Sequence, residues 1–202
     1  MAFTSSYHEQ CQRDLITSLV ACVNPVVALE IGTQQGNSAI AIAKGMSNGS
    51  RLYTCDLFEE TYRAEPHGPT HANYAAAVQN LKEAALGVPV EVLVGNHNTG
   101  MKAALAHGDI DLVHIDVCNH LTSVAVILGD LLAVSQPTKC VILEGGIHNK
   151  WQKSCGFDSY RTFLETPEVS AGWTWSTIPF NSHNAITVMT SRQWLERIEG
   201  QP

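Results

Sequence analysis

The sequence predicts an α/β fold, a three-layer sandwich built on a seven-stranded, mostly parallel sheet with an antiparallel last strand. Two observations lead to this prediction. Short apolar runs alternate with longer segments of helical period, which is the pattern of repeated βα units. In addition, only "PFNSHN" separates the last two runs, which is too short for a helical crossover but long enough for a hairpin.

Each strand is predicted where an apolar run of strand length stands between more polar segments. In chain order, the predicted strands are Val26–Ile31, Arg51–Cys55, Val90–Val94, Leu112–Asp116, Cys140–Glu144, Thr174–Ile178 and Ala185–Met189. An N-terminal helix precedes them, and a helix after each of the first five strands supplies the crossover that a parallel sheet needs. These helices are predicted at Glu9–Val23, Asn37–Met46, Thr70–Leu86, Thr99–His107, His120–Val134 and Asp158–Glu165.

Composition and charge restrict the classes of function. At 202 residues and 45% hydrophobic content, the chain is expected to form a single domain over residues 1–202, with the N-terminal helix (residues 1–24) able to act as a lid. The net charge of −7 provides no continuous basic surface for a phosphate backbone. Nucleic acid is therefore not expected as a partner.

Cysteine usage and the N-terminal sequence indicate a cytoplasmic protein. Six cysteines are scattered singly, without a CxxC pair, as is usual in a reducing compartment. The chain shows no secretory signal and no run of the roughly 20 apolar residues that span a bilayer. A membrane is therefore not expected as a partner either.

The first strand leads into the stretch "ALEIGTQQGNSA" (residues 28–39), in which an acid, Glu30, precedes Gly32 and Gly36. This spacing matches neither GxGxxG nor GxxxxGK[ST], so a pyrophosphate site is not expected. A glycine at 32 allows a ligand to approach the backbone closely, and Gly36 stands where the next helix begins. Asp56 ends the second strand, where a carboxylate can accept both hydroxyls of a ribose. The pattern predicts a site for an adenosine without phosphates.

These features resemble the class I S-adenosylmethionine-dependent methyltransferases, a Rossmann-like family, over nearly the whole chain. Small-molecule O-methyltransferases are the most similar branch, including macrolide and rhamnosyl O-methyltransferases and cephalosporin-hydroxylase-like proteins. The stretches "EIGTQQGNSA", "DLVHIDVCNHLTSVAVILGDL" and "CVILEGG" carry the resemblance. In the second stretch, Asp116, His120 and Asp130 match the spacing that is usual in the family.

The resemblance implies roles for individual residues. S-adenosylmethionine would be bound by Glu30, Gly32, Gly36, Ser38, Asp56, Gly95, Asn96 and Asp116. Asn96 replaces an aspartate that usually contacts the adenine, but an asparagine can still offer its amide to the base. The acceptor would be a hydroxyl group of a small metabolite, and Asp116 and His120 would be the catalytic residues.

The proton of the acceptor hydroxyl can be removed in two ways. Mg²⁺ bound by Asp116 and Glu144, at the ends of the fourth and fifth strands, would lower the pKa of the hydroxyl. Metal-dependent relatives usually carry a second acid after the fifth strand, where this chain has Gly145 and Gly146. Without a metal, His120 would act as the general base. The sequence leaves both routes open.

Several further expectations follow. His97, His107 and His114 are predicted to be structural or solvated, because none has a second ligand at a metal-binding spacing. Because the chain is short for this fold, the acceptor pocket is expected either to be open or to be completed by a second subunit in a homo-oligomer. Gly32→Val is expected to abolish cofactor binding and to leave the fold largely intact.

Two rival functions remain, namely a different reaction in the same pocket, such as hydroxylation or rearrangement, and a non-catalytic binding or partner protein.

Overall fold

The structure is a computed structural model that describes residues 7–58, 73–117, 121–134, 138–144, 164–179 and 185–199. Within these ranges the strands are β1 (Val27–Ile31), β2 (Arg51–Asp56), β3 (Val90–Val94), β4 (Leu112–Ile115), β5 (Cys140–Glu144), β6 (Trp173–Pro179) and β7 (Ala185–Ser191). The helices there are α1 (Tyr7–Val23), α2 (Asn37–Gly45), α3 (Tyr74–Glu83), α4 (His97–Leu105), α5 (Leu121–Val134), α6 (Pro167–Gly172) and α7 (Arg192–Glu199).

The described strands form one sheet in the order β3-β2-β1-β4-β5-β7-β6. Strands β1 to β5 are parallel, whereas β7 runs antiparallel to both of its neighbours, β5 and β6. The predicted α/β fold with an antiparallel last strand is confirmed. The hairpin folds back so that β7 lies inside the sheet and β6 forms its edge.

Helices cover both faces of the sheet. Leu29, Val113 and Leu143 lie on one face and belong to a core cluster with α4 and α5. Ala28 and Leu112 lie on the other face, in a second cluster with α1, α2 and α3. Since β1 and β4 are buried along their whole length, these strands show continuous apolar runs in the sequence and no alternation.

Capping residues account for the helix boundaries that differ from the prediction. Helix α4 begins at His97, two residues before the predicted Thr99, because the Asn96 side chain accepts a hydrogen bond from the Thr99 amide at 3.3 Å. Helix α3 begins at Tyr74 because Asn73 caps it in the same way. Strand β4 ends at Ile115, so that Asp116 directly follows the strand.

Two short C-terminal helices, α6 and α7, were not predicted. Helix α6 begins with a proline at its first position, where the missing N–H has no intrahelical partner to lose. Helix α7 contributes Trp194 to the core cluster on the α1 face. Most of the predicted helix Asp158–Glu165 lies outside the described residues.

The buried cysteines fit their expected role as small apolar residues. Cys55 and Cys140 are buried free thiols, and burial is the main cause that raises the pKa of each to about 12. Both thiols are therefore protonated at neutral pH. None of the described helices has the length and apolar character needed to cross a membrane.

Candidate active site

The candidate site lies where β1, β2, β4 and β5 end, at the carboxyl edge of the sheet. The chain continues from β1 to β2 and β3 on one side, and then crosses to β4 and β5 on the other side. A crevice forms at such a switch point, and open α/β sheets bind ligands there. The site therefore has one half over β1 and β2 and another half over β4 and β5.

A tight turn of residues 32–36 connects β1 with α2 in the first half, and we call it the glycine turn. Gly32 and Gly36 have φ angles of 104° and 82°, which glycine adopts without steric cost. The Gly32 amide donates to the carbonyl of Cys55 at 2.8 Å, which fixes the turn against the end of β2. Among the described residues no side chain caps the first turn of α2, so its amide groups can donate hydrogen bonds to an anionic ligand group.

The contacts of Gly32 overturn one expectation about its replacement. A Cβ atom at this position would lie 1.9 Å from the carbonyl oxygen of Asp116. The backbone that follows β4 thus occupies the space next to Gly32. Gly32→Val would displace this backbone and destabilise the fold, contrary to the expectation that the fold stays largely intact. Gly32 remains a predicted cofactor residue, but that variant does not test the role.

Asp56 lies beside the glycine turn with its carboxylate held by two backbone donors. Its Oδ2 accepts from the Gln34 amide at 2.8 Å, and its Oδ1 accepts from the Phe58 amide at 3.1 Å. Each oxygen keeps capacity for a further hydrogen bond. Phe58 also forms an edge-to-face pair with Tyr74, with ring centroids 5.4 Å apart. This aromatic pair next to Asp56 was not predicted from the sequence.

The remaining predicted residues of the first half lie on neighbouring elements. Gly95 follows β3, and its amide donates to the carbonyl of Asp56 at 2.9 Å. Asn96 is exposed and uses its Oδ1 to cap α4, which leaves its amide nitrogen for a ligand. Ser38 lies half-buried in the first turn of α2.

An ionic group is buried beneath this edge. Glu30 and His114 are register partners in β1 and β4, and both are fully buried. His114 Nε2 donates to Glu144 Oε1 at 2.9 Å, and its Nδ1 lies 3.3 Å from Glu30 Oε1, in an ion pair without hydrogen-bond geometry. Burial by itself lowers the pKa of His114, but Glu144 and Glu30 together raise it to about 10. His114 is therefore an imidazolium at neutral pH.

The hydrogen bonds continue in both directions from this group. The Thr54 hydroxyl donates to Glu30 Oε2 and lies 2.6 Å from the Thr33 hydroxyl. Because Thr54 has one hydroxyl proton, Thr33 must be the donor to Thr54. At the other end, Gln12 Nε2 of α1 donates to Glu144 Oε2. We call these side chains the buried polar network, and its members are Thr33, Thr54, Glu30, His114, Glu144 and Gln12.

Four members of this network, namely Gln12, Thr33, Thr54 and His114, were not predicted to belong to the site. The available signal was a histidine within the buried run "LVHI". Its pairing with Glu30 depends on the register between β1 and β4, which a single sequence does not reveal. Glu30 was predicted to shape the cofactor pocket. Because its side chain is fully buried, it would act on a cofactor through Thr54 and Thr33.

Asp116 and Glu144 stand at the ends of the neighbouring strands β4 and β5, in the second half of the site. Their preceding residues, Ile115 and Leu143, are register partners in β4 and β5. Burial, followed by the nearby charge of Glu144, raises the pKa of Asp116 above its usual value. Asp116 can therefore hold a proton at a pH where an ordinary aspartate is ionised.

The donor atoms of this half fit a magnesium ion poorly. Glu144 Oε1 already forms an ion pair with His114, whose positive charge would repel a second cation there, and its Oε2 accepts from Gln12. In the part of the chain that the structure describes, no group of three or more His, Cys, Asp and Glu side chains is arranged to hold a metal ion. Mg²⁺ at Asp116 and Glu144 stays a prediction that this arrangement does not support, and no chemical step below depends on it.

Other residues from the family spacing lie elsewhere or are not described. His120, Gly145 and Gly146 lie outside the described residues, so the role of His120 stays a prediction. Asp130 lies on α5, where its carboxylate is 2.9 Å from His97 Nε2. This pair links α5 to α4, which is the structural kind of contact expected of His97.

Comparisons with known proteins bear on both the family and the fold. A family model described as a methyltransferase domain matches residues 29–144, which is more than half of the chain. No curated protein matches the chain in sequence.

Solved structures of methyltransferases share the fold of this chain. An O-methyltransferase from Bacillus cereus in complex with SAH is 20% identical with a TM-score of 0.66, over 95% of this chain and 84% of that one. TomG from Streptomyces achromogenes, an O-methyltransferase of tomaymycin synthesis in complex with SAM, is 20% identical with a TM-score of 0.66, over 90% and 79%. The SAH-bound methyltransferase PaMTH1 from Podospora anserina is 17% identical with a TM-score of 0.64, over 94% and 80%.

Proposed function

Because the chain belongs to the methyltransferase domain family, we propose that it transfers the methyl group of S-adenosylmethionine to a hydroxyl group of a small metabolite. The match of the family model confirms the membership of a methyltransferase family that the sequence predicts. The choice of a hydroxyl acceptor is supported by the O-methyltransferases among the structures that share the fold. One observation carries the proposal, namely the Asp56 carboxylate held beside the glycine turn at the switch point of the sheet.

The residues of the first half fit S-adenosylmethionine. When bound, this cofactor supplies an electrophilic methyl group on its sulfonium. Asp56 would accept hydrogen bonds from the ribose hydroxyls, because each of its oxygens has capacity beyond the backbone amide that it binds. The uncapped first turn of α2 would bind the carboxylate of the methionine part. Asn96 would offer its amide to the adenine.

The second half would bind and deprotonate the acceptor. Asp116 would orient the hydroxyl behind the methyl group, and its raised pKa allows it to donate a hydrogen bond as well as accept one. His120 would take the hydroxyl proton as the oxygen forms its bond to the methyl carbon and the bond from carbon to sulfur breaks. The proton would then pass from His120 to water.

Binding of the cofactor is tested first, by titration calorimetry with S-adenosylmethionine and its demethylated product, S-adenosylhomocysteine (SAH). We expect Asp56→Asn to weaken SAH binding by about 10- to 100-fold, because charge-assisted hydrogen bonds to the ribose are lost. The matched control is Asp109→Asn, an exposed aspartate before β4, at the opposite edge of the sheet. If the unchanged protein binds neither compound, the proposed function is wrong.

Methyl transfer itself is tested with a deuterated methyl group on the cofactor. The protein would be incubated with this cofactor and a mixture of hydroxylated metabolites, and the products would be analysed by mass spectrometry. We expect the label in a methyl ether, and Asp56→Asn should reduce it at low cofactor concentration. Cofactor binding without labelled product would favour the rival functions, a different reaction in the same pocket or a non-catalytic protein.

A further inference from the structure

The buried polar network joins the two halves of the proposed site. Each of Thr54, Glu30, His114 and Glu144 stands two residues after a core residue of the α1 face, so that the four lie in consecutive strands on that face. At one end the network reaches Thr33 of the glycine turn, and at the other end it reaches Gln12 of α1. The network is therefore a continuous polar connection between the first half of the site and helix α1.

Stability alone does not account for such a connection. Taking several charged groups out of water is costly, and well-packed apolar residues in the same place are often at least as stabilising. Glu30 and His114 have no exposed surface, and within the described part of the chain Glu30 Oε1 and His114 Nδ1 have no hydrogen-bond partner. The buried polar network is therefore better explained by its connection of the glycine turn to α1 than by a contribution to stability.

Helix α1 is attached differently at its two ends. In its second half, Ile16 and Val20 are fully buried against the sheet and α2, and the Thr17 hydroxyl donates to the carbonyl of Ala41 at 2.9 Å. Its first half is less buried, since Gln10 is exposed and Gln12 is only half-buried. The bond from Gln12 to Glu144 joins this less buried half to the end of β5, beside Asp116.

We propose that Gln12 and His114 are positioning residues. Through their hydrogen bonds to Glu144 they fix the first half of α1 against the second half of the site when the glycine turn binds its cofactor. This inference rests on the proposed function, because the cofactor is the ligand that would contact the glycine turn and restrict its motion. When the glycine turn is fixed, the Thr33 hydroxyl donates a hydrogen bond to the Thr54 hydroxyl. The Thr54 hydroxyl then keeps donating its own hydrogen bond to Glu30. Glu30 pairs with Nδ1 of the His114 ring, and Nε2 of the same ring donates to Glu144. Glu144 is thereby kept in place to accept the hydrogen bond from Gln12.

Hydrogen exchange of α1, measured by mass spectrometry with and without saturating SAH, tests the inference. In the unchanged protein we expect SAH to slow the exchange of amides 7–15 by about fivefold, the size of an ordinary coupling between sites. Gln12→Met removes the donor at nearly constant volume and should abolish this slowing, while SAH affinity falls by less than about tenfold. Gln10→Met is the matched control on the same helix and should behave like the unchanged protein.

Two variants at the far end of the network separate positioning from local packing. Thr54→Val keeps the shape of the side chain but removes the hydroxyl between Thr33 and Glu30. It should abolish the slowing in α1 even though Thr54 lies in β2. Thr54→Ser restores the hydroxyl and should restore the slowing. A merely structural role of Thr54 would change stability but not the response of α1 to SAH.

The outcomes distinguish this inference from the proposed function. If the unchanged protein binds SAH and α1 exchanges at the same rate with and without it, the positioning role is wrong and methyl transfer is unaffected. The same conclusion holds if Gln12→Met or Thr54→Val keeps the slowing. If the unchanged protein does not bind SAH at all, the proposed function fails and this inference fails with it.

Discussion

At the scale of single residues, Glu30 and His114 depend on each other. Each carries a charge without exposed surface, and each would be strongly destabilising if its partner were removed. The sequence identified Glu30 because it precedes the glycine turn, but it gave no reason to connect His114 with it. The connection arises from the parallel register of β1 and β4, which places the two residues side by side.

The protonation of His114 has a consequence for stability. The folded pKa of about 10 is above the ordinary value of 6.5, so the folded state holds this proton more tightly than the unfolded state. The stabilisation is fully present below pH 6.5 and is lost as the pH rises through about 10. We therefore expect the free energy of unfolding to fall between pH 7 and pH 10, as measured by urea denaturation.

His114→Gln provides the comparison for this pH dependence. The variant should be less stable than the unchanged protein at pH 7, because Glu30 and Glu144 lose their cation. Its free energy of unfolding should also change less between pH 7 and pH 10. Cys55 and Cys140 add a fall in stability above about pH 9 to both proteins, because their pKa values rise from 9.0 to about 12 on folding, so the difference between the two slopes isolates His114. Equal slopes for the two proteins would show that His114 is not the titrating group.

At the scale of elements, capping residues and close backbone contacts decide where helices and turns stand. The predicted start of α4, Thr99, lies two residues after the observed one, and Gly95 and Asn96 were expected to contact the adenine. The side chain of Asn96 in fact caps that helix. The glycine turn shows a similar effect, because Gly32 is needed for contact with the backbone after β4 as well as for any ligand.

The contact of Gly32 predicts a large effect of even the smallest side chain. Gly32→Ala should lower the free energy of unfolding by about 2 kcal/mol or more, because its Cβ would meet the Asp116 carbonyl in addition to the cost of a positive φ. Gly49→Ala is the matched control, since Gly49 has a φ of 92° and a Cβ there would meet nothing within 4 Å. Equal losses of the free energy of unfolding for the two variants in urea denaturation would contradict the clash with the Asp116 carbonyl.

At the scale of the whole molecule, the described residues form one sheet with helices on both faces, and the two core clusters share its strands. The length and alternation of the apolar runs were sufficient to predict this architecture. They were not sufficient to place β7 between β5 and β6, because a hairpin of the same length could have extended the sheet in the order of the chain. That placement depends on antiparallel pairing of β5 with β7.

A single domain over residues 1–202 predicts a single unfolding transition. Near-UV and far-UV circular dichroism should give the same midpoint in thermal unfolding. SAH at 100 times its dissociation constant should stabilise the folded state by about 2.7 kcal/mol and raise that midpoint. Two separate transitions, or different midpoints from the two probes, would contradict a single domain.

The sequence by itself determined the fold class, the strands β3 and β5 to the residue, and the acids at the ends of β2 and β5. Local pattern was enough for these features, because apolar period and turn residues act over a few neighbouring positions. The tertiary structure alone decided the pairing of Glu30 with His114, the reach of Gln12 to Glu144, and the contact of Gly32 with the backbone of Asp116. Each joins residues more than 80 positions apart. Such contacts depend on strand order, register and helix packing, which many residues set together and no local pattern encodes.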